Sequence, residues 1–535
     1  MLKRLTLFIV VLLSCQTHAQ WSDDPAQNLL IASGTGEQVL CKIGVRSDGG
    51  SYVGWFSNVG APNNYEVRLQ RLAPNGQLVW AQEGILISDL PHESFLVDWD
   101  LIADSSNHAV LTFTDNRAGN RDVQAYRIDE NGTFLWGATG ISLSTNTSFE
   151  ADPRVTENSD GDFVFVWSRS PSVGDGSIVM QRITPGGDLQ LPAGGLSVAT
   201  GPGESPGFCE VVPSLNGDVI VSWLRDLSFS SSVRHILVQR FNVAGTAIWN
   251  GGSPVTLFNL GLPAGYRPRL VPDDEGGAAS AWFFGLAELN CYVQRVDSAG
   301  TLAFPANGLT VSEQLGQQRM APSIAFNGPG DNLFVFWRET NLNQNEWGLY
   351  GNSISATGIR DWGNNGLAFI PVGQQPISFV NTHAYNNQAQ VFWFQTPSPV
   401  SSVEQVKGMA VDANGDPVWE NAPIEVASSL ASKDNLETGL DLSGRALLVW
   451  DDERNGPSEV YGQNVNNDGS LGPDGVICPG DCSPPGGDGV VDEEDLLAAV
   501  GDWPGVSVCD FDGNQEMNML DLVEILSAFG SCPTR

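Results

Sequence analysis

The chain has 535 residues, 41% of them hydrophobic, with 60 glycines and 31 prolines. That is ample apolar material for a large core but too many breakers for long helices, so short strands joined by turns are expected. With 26 basic residues against 62 acidic ones the net charge is −36, which repels phosphates and anionic lipid heads and excludes nucleic acid as a partner.

At the N-terminus, Lys3 and Arg4 precede an apolar run from Leu5 to Leu13, followed by Thr17-His18-Ala19. This is the three-part plan of a secretory signal over residues 1–19, cut after Ala19. The run is too short to span a bilayer, and no later segment reads as transmembrane. Leu12-Leu13-Ser14-Cys15 also resembles a bacterial lipobox, which would leave the chain lipid-anchored through Cys15. A secreted, extracellular location is the main expectation. In that oxidising compartment disulfides are expected. Cys478, Cys482, Cys509 and Cys532 allow three pairings that sequence does not choose between. Cys41, Cys209 and Cys291 lie far apart.

From residue 20 to residue 477 one pattern repeats. A short strand ends in an aromatic residue at Trp55, Phe113, Trp167, Trp223, Trp282, Trp337, Trp393 and Trp450, at steps of 58, 54, 56, 59, 55, 56 and 57 residues. A second strand follows and carries Arg71, Arg127, Arg182, Arg240 and Arg295. Then come a turn and a tryptophan, as at Trp80, Trp136, Trp249, Trp362 and Trp419. A third strand follows, such as Gly84 to Ser88, and a fourth is often opened by proline, as at Pro153, Pro268 and Pro322. Four strands in about 56 residues make one propeller blade, whereas a tandem sandwich needs about 100. The expected fold is therefore all-β, an eight-bladed β-propeller of four-stranded repeats. Two segments compete to close the ring, Asn28 to Ala32 and Gly469 to Ile477.

The repeated tryptophans read as packing between blades, and only Trp99 and Trp347 fall off the pattern as aromatics for sugar stacking. Arginines at one equivalent place in successive blades read as structural bridges to acidic turns. Trp450-Asp451-Asp452-Glu453-Arg454 and Asp129-Glu130-Asn131-Gly132-Thr133-Phe134-Leu135-Trp136 carry the fullest copies of the repeat, and these resemble propeller repeats of secreted bacterial proteins. The turn also resembles the Asp box of sialidases, with more residues between acid and tryptophan. His92, His108, His235 and His383 show no zinc-hydrolase spacing, and there is no nucleophile elbow, phosphate loop or dinucleotide fingerprint. No catalytic residues are assigned.

Residues 478–535 form a different module. Two apolar patterns of helical spacing, Leu496, Val500, Trp503 and Leu522, Leu526, Phe529, stand at an offset of 26 residues. Each follows an acidic loop. In the second loop Asp510, Asp512, Asn514, Asn518 and Asp521 place side-chain oxygens at positions 1, 3, 5, 9 and 12, and Glu516 offers its carbonyl at position 7, the spacing of an EF-hand calcium loop. Gln515 stands where that turn wants glycine. In the first loop Asp488, Asp492 and Asp495 hold positions 5, 9 and 12, but Pro484 and Gly486 leave positions 1 and 3 without side-chain oxygens. Two loop–helix units of this kind resemble a type I dockerin. The resemblance implies a small α-helical module that binds calcium and docks onto a cohesin-like protein or another cell-surface component.

The functional expectation is a secreted, non-catalytic binding or scaffold protein, its ring presenting a glycan- or protein-binding surface and its tail attaching it through calcium. The alternative is a polysaccharide-degrading glycoside hydrolase that carries a dockerin.

Overall fold

The computed structural model describes residues 21–60, 64–89, 98–117, 119–172, 174–200, 204–226, 234–263, 266–473, 490–491, 493–501, 519–528 and 530–531. Eight four-stranded antiparallel sheets occur in succession. Blade 1, for example, runs inward to outward as Gln38–Val45, Ser51–Asn58, Tyr65–Leu72 and Ile85–Ser88. The inner strand of each blade touches the inner strand of the next, and the inner strand of blade 8 (Lys433–Leu440) touches that of blade 1. The sheets therefore form one closed eight-bladed ring, as the repeat predicts.

Alternation along each strand gives a sheet two apolar faces, and each face needs a partner sheet. The core is correspondingly divided into eight clusters, each shared by two neighbouring blades. The tryptophans that end the second strands, including Trp55, Trp167, Trp282, Trp337, Trp393 and Trp450, are fully buried in these seams.

A second device crosses each seam. Arg127 donates through Nε to Asp104 in the turn of its own blade, at 2.8 Å, and through Nη1 to the Pro185 carbonyl of the next blade, at 3.0 Å. Trp136 donates its indole N–H to the same carbonyl, at 3.1 Å. Arg240 and Trp249 converge in the same way on the Ser298 carbonyl, at 3.2 and 3.0 Å. The acceptor lies in the glycine-bearing turn of the repeat. There Asp129 accepts from the amides of Asn131 and Thr133, and Gly132 takes φ of 81°, a conformation glycine adopts without strain. Arginines and acids of the repeat are thus structural, as expected.

The ring closes with its N-terminal end. Leu29–Ala32 pairs antiparallel with Glu459–Val465 and becomes the outer strand of blade 8. Residues 474–477, part of the rival segment, lie outside the described residues. Trp21 enters the seam against Gly76 and donates to the Pro74 carbonyl at 3.0 Å, while Arg445 of blade 8 donates to the same atom at 3.1 Å. Gln463 donates to the Ser22 carbonyl, one residue after Trp21, as Gln70 donates to the Ala81 carbonyl, one residue after Trp80. The two segments together rebuild the clamp that blades 2 and 4 each make alone.

In the tail, helix α1 (Glu493–Gly501) packs against helix α2 (Met519–Ala528), and Val490–Val491 pairs with Gly530–Ser531. Among the described residues no helix is long and apolar enough to cross a membrane.

Trp21→Ala should lower the unfolding free energy by about 3–5 kcal/mol in urea melts, as much as Trp249→Ala, because both empty a seam of a buried indole. A cost below about 1 kcal/mol would show that the N-terminal segment does not lock the ring.

Candidate functional site

The eight inner strands surround the central channel, and six of them carry the same irregularity. The register slips by one residue at Leu40, Asp152, Phe208, Ala321, Phe379 and Asn435, each with φ between 49 and 55°. A non-glycine residue pays about 1–3 kcal/mol for such a conformation unless its surroundings hold it there. Bulges of this kind re-aim side chains near functional sites. By register with the second strands, Asp98 and Arg267 occupy the same place in blades 2 and 5.

The hold is supplied by neighbouring blades. Cys41 donates its thiol to the Asn435 carbonyl of blade 8 at 3.4 Å, Trp99 its indole N–H to the Leu40 carbonyl of blade 1 at 2.8 Å, and Cys209 its thiol to the Asp152 carbonyl of blade 3 at 3.8 Å. All three residues immediately follow the bulge position of their own blade. Trp99 is therefore a buried strut packed on Phe56, which corrects its reading as an exposed sugar platform. Trp347 is half-buried inside the third strand of blade 6. Cys41, Cys209 and Cys291 are free thiols in the core. Burial pushes Cys209 up to about 12 and Cys41 well above the usual thiol range, so both stay protonated donors.

Two residues beyond the bulge, a ring of side chains lines the channel: Lys42, Asp100, Arg154, Glu210, Arg269, Ser323, Asn381 and Glu437. From blade 8 round to blade 5 their charges alternate in sign. Lys42 lies 2.7 Å from Glu437 and 3.3 Å from Asp98. Arg154 lies 2.7 Å from Asp98 and 3.5 Å from Glu210. Arg267 stacks on Phe208 at 4.5 Å and reaches across to Asp98 and Asp152, at 3.9 and 3.8 Å. Burial pushes the Asp98 carboxyl up, but Lys42 and Arg154 outweigh it and hold Asp98 well below the usual range. Asp100 lacks so close a partner, and burial pushes it up to about 6 against the pull of Arg154.

Where blades 8 and 1 meet, the bulge ring opens into a cavity of about 300 Å³ lined by Leu40, Tyr65, Lys433, Asn435, Asp451 and Glu453, among others. At its base Asp451 accepts from the amides of Leu40 and Cys41 and from the Asn435 side chain. Burial nevertheless pushes it up to about 7. Its oxygens are committed to holding two bulges, so its chemistry is structural.

The predicted calcium ligands fare unevenly. Asp510, Asp512, Asn514, Glu516, Asn518, Asp488 and Asp492 lie outside the described residues. Asp495 and Asp521 are fully buried at equivalent places in the first turns of α1 and α2. A buried carboxylate must be compensated, and both have partners in the protein. Among the described residues no group of three or more His, Cys, Asp or Glu side chains is arranged to hold a metal ion. The channel ring was not singled out in the sequence. Its residues stand 13 places before most of the second-strand aromatics, as Lys42 before Trp55 and Arg154 before Trp167, but alternating signs spaced about 56 residues apart are invisible without the register.

No family model matches the chain, and no curated protein matches it. Among solved structures it is similar to the Dos1 propeller, at 14% identity over 82% of this chain and 95% of that one, with a TM-score of 0.45. It is also similar to the propeller domain of the Trilobed protease from Pyrococcus furiosus, at 8% identity over 72% and 97%, TM-score 0.37. A third likeness is to polysaccharide lyase Uly1, at 12% identity over 66% and 86%, TM-score 0.39.

A group whose folded pKa is raised stabilises the fold below its unfolded value near 3.8 and loses that contribution as pH rises through the folded value. Asp451 should therefore make stability fall between about pH 4 and pH 7. Urea melts at intervals across this range should show a shallower fall in Asp451→Asn; an identical slope would contradict the assignment.

Proposed function

We propose that this chain is a secreted, non-catalytic binding protein whose ring presents a glycan- or protein-binding surface on the face where the inner strands begin. One observation carries the reading. The charged side chains at the channel entrance are engaged with one another, Lys42 with Glu437 and Asp98, Arg154 with Asp98 and Glu210. Groups locked in mutual pairs fix a rigid rim and have no free proton to give, which suits recognition better than acid–base chemistry. The 300 Å³ cavity beside that rim, with Tyr65 and Leu40 among its walls, offers a concave surface of small-ligand size.

The hydrolase reading rests on Asp100 and Asp451, two carboxyls pushed towards neutrality beside an ionised Asp98. Raised and ordinary carboxyls in one site are what a glycosidase acid and base need. Asp451 weighs against it, since three donors already occupy its oxygens.

For the tail we propose calcium-dependent attachment. Asp510, Asp512, Asn514, Asn518 and Asp521, with the Glu516 carbonyl, would hold one ion; Asp488, Asp492 and Asp495 would hold a second more weakly. Exposed Leu497 and Val500 on α1, with Val523 and Leu526 on α2, support a partner that covers this apolar surface, in the manner of a cohesin.

The exported full chain on a glycan array, alongside a hydrolysis screen of the same polysaccharides, should give binding without release of reducing ends. Turnover abolished by Asp100→Asn would overturn the non-catalytic reading. Titration of calcium into the full chain should release heat that Asp510→Ala together with Asp521→Ala removes; unchanged heat would sink the tail site.

A further inference from the structure

Every blade has a position two residues beyond the aromatic that ends its second strand. In most blades a large side chain fills it and reaches the start of the inner strand. Glu339 of blade 6 lies 3.2 Å from Arg319, both only 1% exposed. Asp452 of blade 8 lies 3.2 Å from Lys433, both fully buried. In blade 3 the signs are exchanged, with Arg169 2.8 Å from Glu150. Asp115, Arg225, Phe284 and Gln395 occupy the position in blades 2, 4, 5 and 7.

Blade 1 breaks the rule. Its residue is Ser57, and the inner-strand counterpart is the uncharged Gln38. The space that an ion pair fills in blades 3, 6 and 8 becomes a cavity of about 580 Å³, between blade 1 and the segment that follows the closing strand Leu29–Ala32. Gln38 is committed, accepting from the Trp55 indole at 2.8 Å and donating to the Gly36 carbonyl. Ser57 is not. Its side chain lines the cavity, no hydrogen bond among the described residues occupies its hydroxyl, and that hydroxyl is open to the cavity rather than sealed in the core. An accessible hydroxyl of this kind can both donate to and accept from a ligand. Thr35, Ser33 and Asn58 add further hydroxyl and amide groups, and the Trp55 ring adds an apolar wall.

We infer that this seam cavity is a binding site for a neutral saccharide of one or two rings, an inference that rests on the glycan-binding reading and gives that reading its place and ligand class. Hydroxyls and amides, each able to donate and accept, match the vicinal hydroxyls of a sugar. The volume lies within the range of small-ligand sites. Arg68 does not make it an anion site, because that guanidinium is already held by Glu66 at 3.0 Å and by the Glu83 carbonyl at 3.1 Å. Glu83 and Glu459 in the lining, with a net charge of −36, disfavour acidic sugars.

The test uses the full chain and a panel of neutral disaccharides (cellobiose, laminaribiose, xylobiose, maltose and mannobiose), with digalacturonate as the acidic control, read by calorimetry. Ser57→Glu places the acid found at this position in blade 6 inside the cavity, without the arginine that accompanies it there. It should abolish binding of the preferred neutral sugar under conditions where circular dichroism shows the ring folded. Ser57→Ala and the exposed Gln82→Ala remove single groups without adding bulk and should each weaken binding about three- to tenfold. Binding that all three variants leave unchanged would overturn this site and leave glycan recognition standing elsewhere on the ring. Preference for digalacturonate, lost in Ser57→Glu, would overturn the neutral class. Absence of binding to every sugar, in wild type and variants alike, would overturn the site and the glycan reading together.

Discussion

At seven of the eight seams a turn carbonyl accepts from an arginine, a tryptophan or both of the neighbouring blade, and this bond holds the molecule in register. A blade has two apolar faces, so apolar contact alone would let neighbouring blades slide, since dispersion and burial are not directional. The clamp removes that freedom. An arginine and a tryptophan from one blade meet at a single oxygen in the next, as Arg127 and Trp136 do at Pro185. The arginine is itself fixed by an acid in its own blade, so geometry passes from turn to turn around the ring. At the closure Arg445 and Trp21 rebuild the same convergence at Pro74 from opposite ends of the chain. Circularity is therefore obtained without a special device: the last seam obeys the rule of the other seams.

The channel shows the same economy in electrostatic form. Alternating charges at one height mean that each ion sits between ions of the other sign, so desolvation is offset on both sides. Asp98, two residues away from that ring, lies 3.3 Å from Lys42 and 2.7 Å from Arg154 and stays ionised, whereas burial pushes Asp100 of the ring itself up to about 6. The bulges beneath it are strained, yet each strained residue that carries a neighbour's hydrogen bond is fixed by the adjacent blade. Strain and inter-blade bonding are coupled, and Cys41, Trp99 and Cys209 are conserved in role though not in kind: each is a donor to the previous blade.

Much of this was legible beforehand. The tryptophan spacing alone dictates eight blades, because the indole must recur once per seam. The structural role of the arginines followed from their equivalence, since a catalytic group is needed once and a clamp is needed everywhere. Trp99 was misread because its function depends on a carbonyl 59 residues earlier in the chain, a contact that only the packing of blade 2 against blade 1 creates. The bulges were unreadable for another reason: a one-residue slip inside an alternating strand leaves no distinctive residue, and five different residue types tolerate it.

A repeat protein also permits a subtraction that a singular fold does not. Where eight positions face the same problem, the solutions reached by most of them define what structure requires. The exchange of Glu339–Arg319 for Arg169–Glu150 shows that the requirement beside the inner strand is a compensated polar pair, of either polarity. Ser57 with Gln38 meets the requirement only in part, since Gln38 is satisfied by Trp55 and Ser57 turns to the cavity. Packing energy would favour filling that space, as the other seams do. A position that forgoes the filling, at the one seam assembled from both chain ends, is where selection for something other than the fold becomes visible in a single sequence.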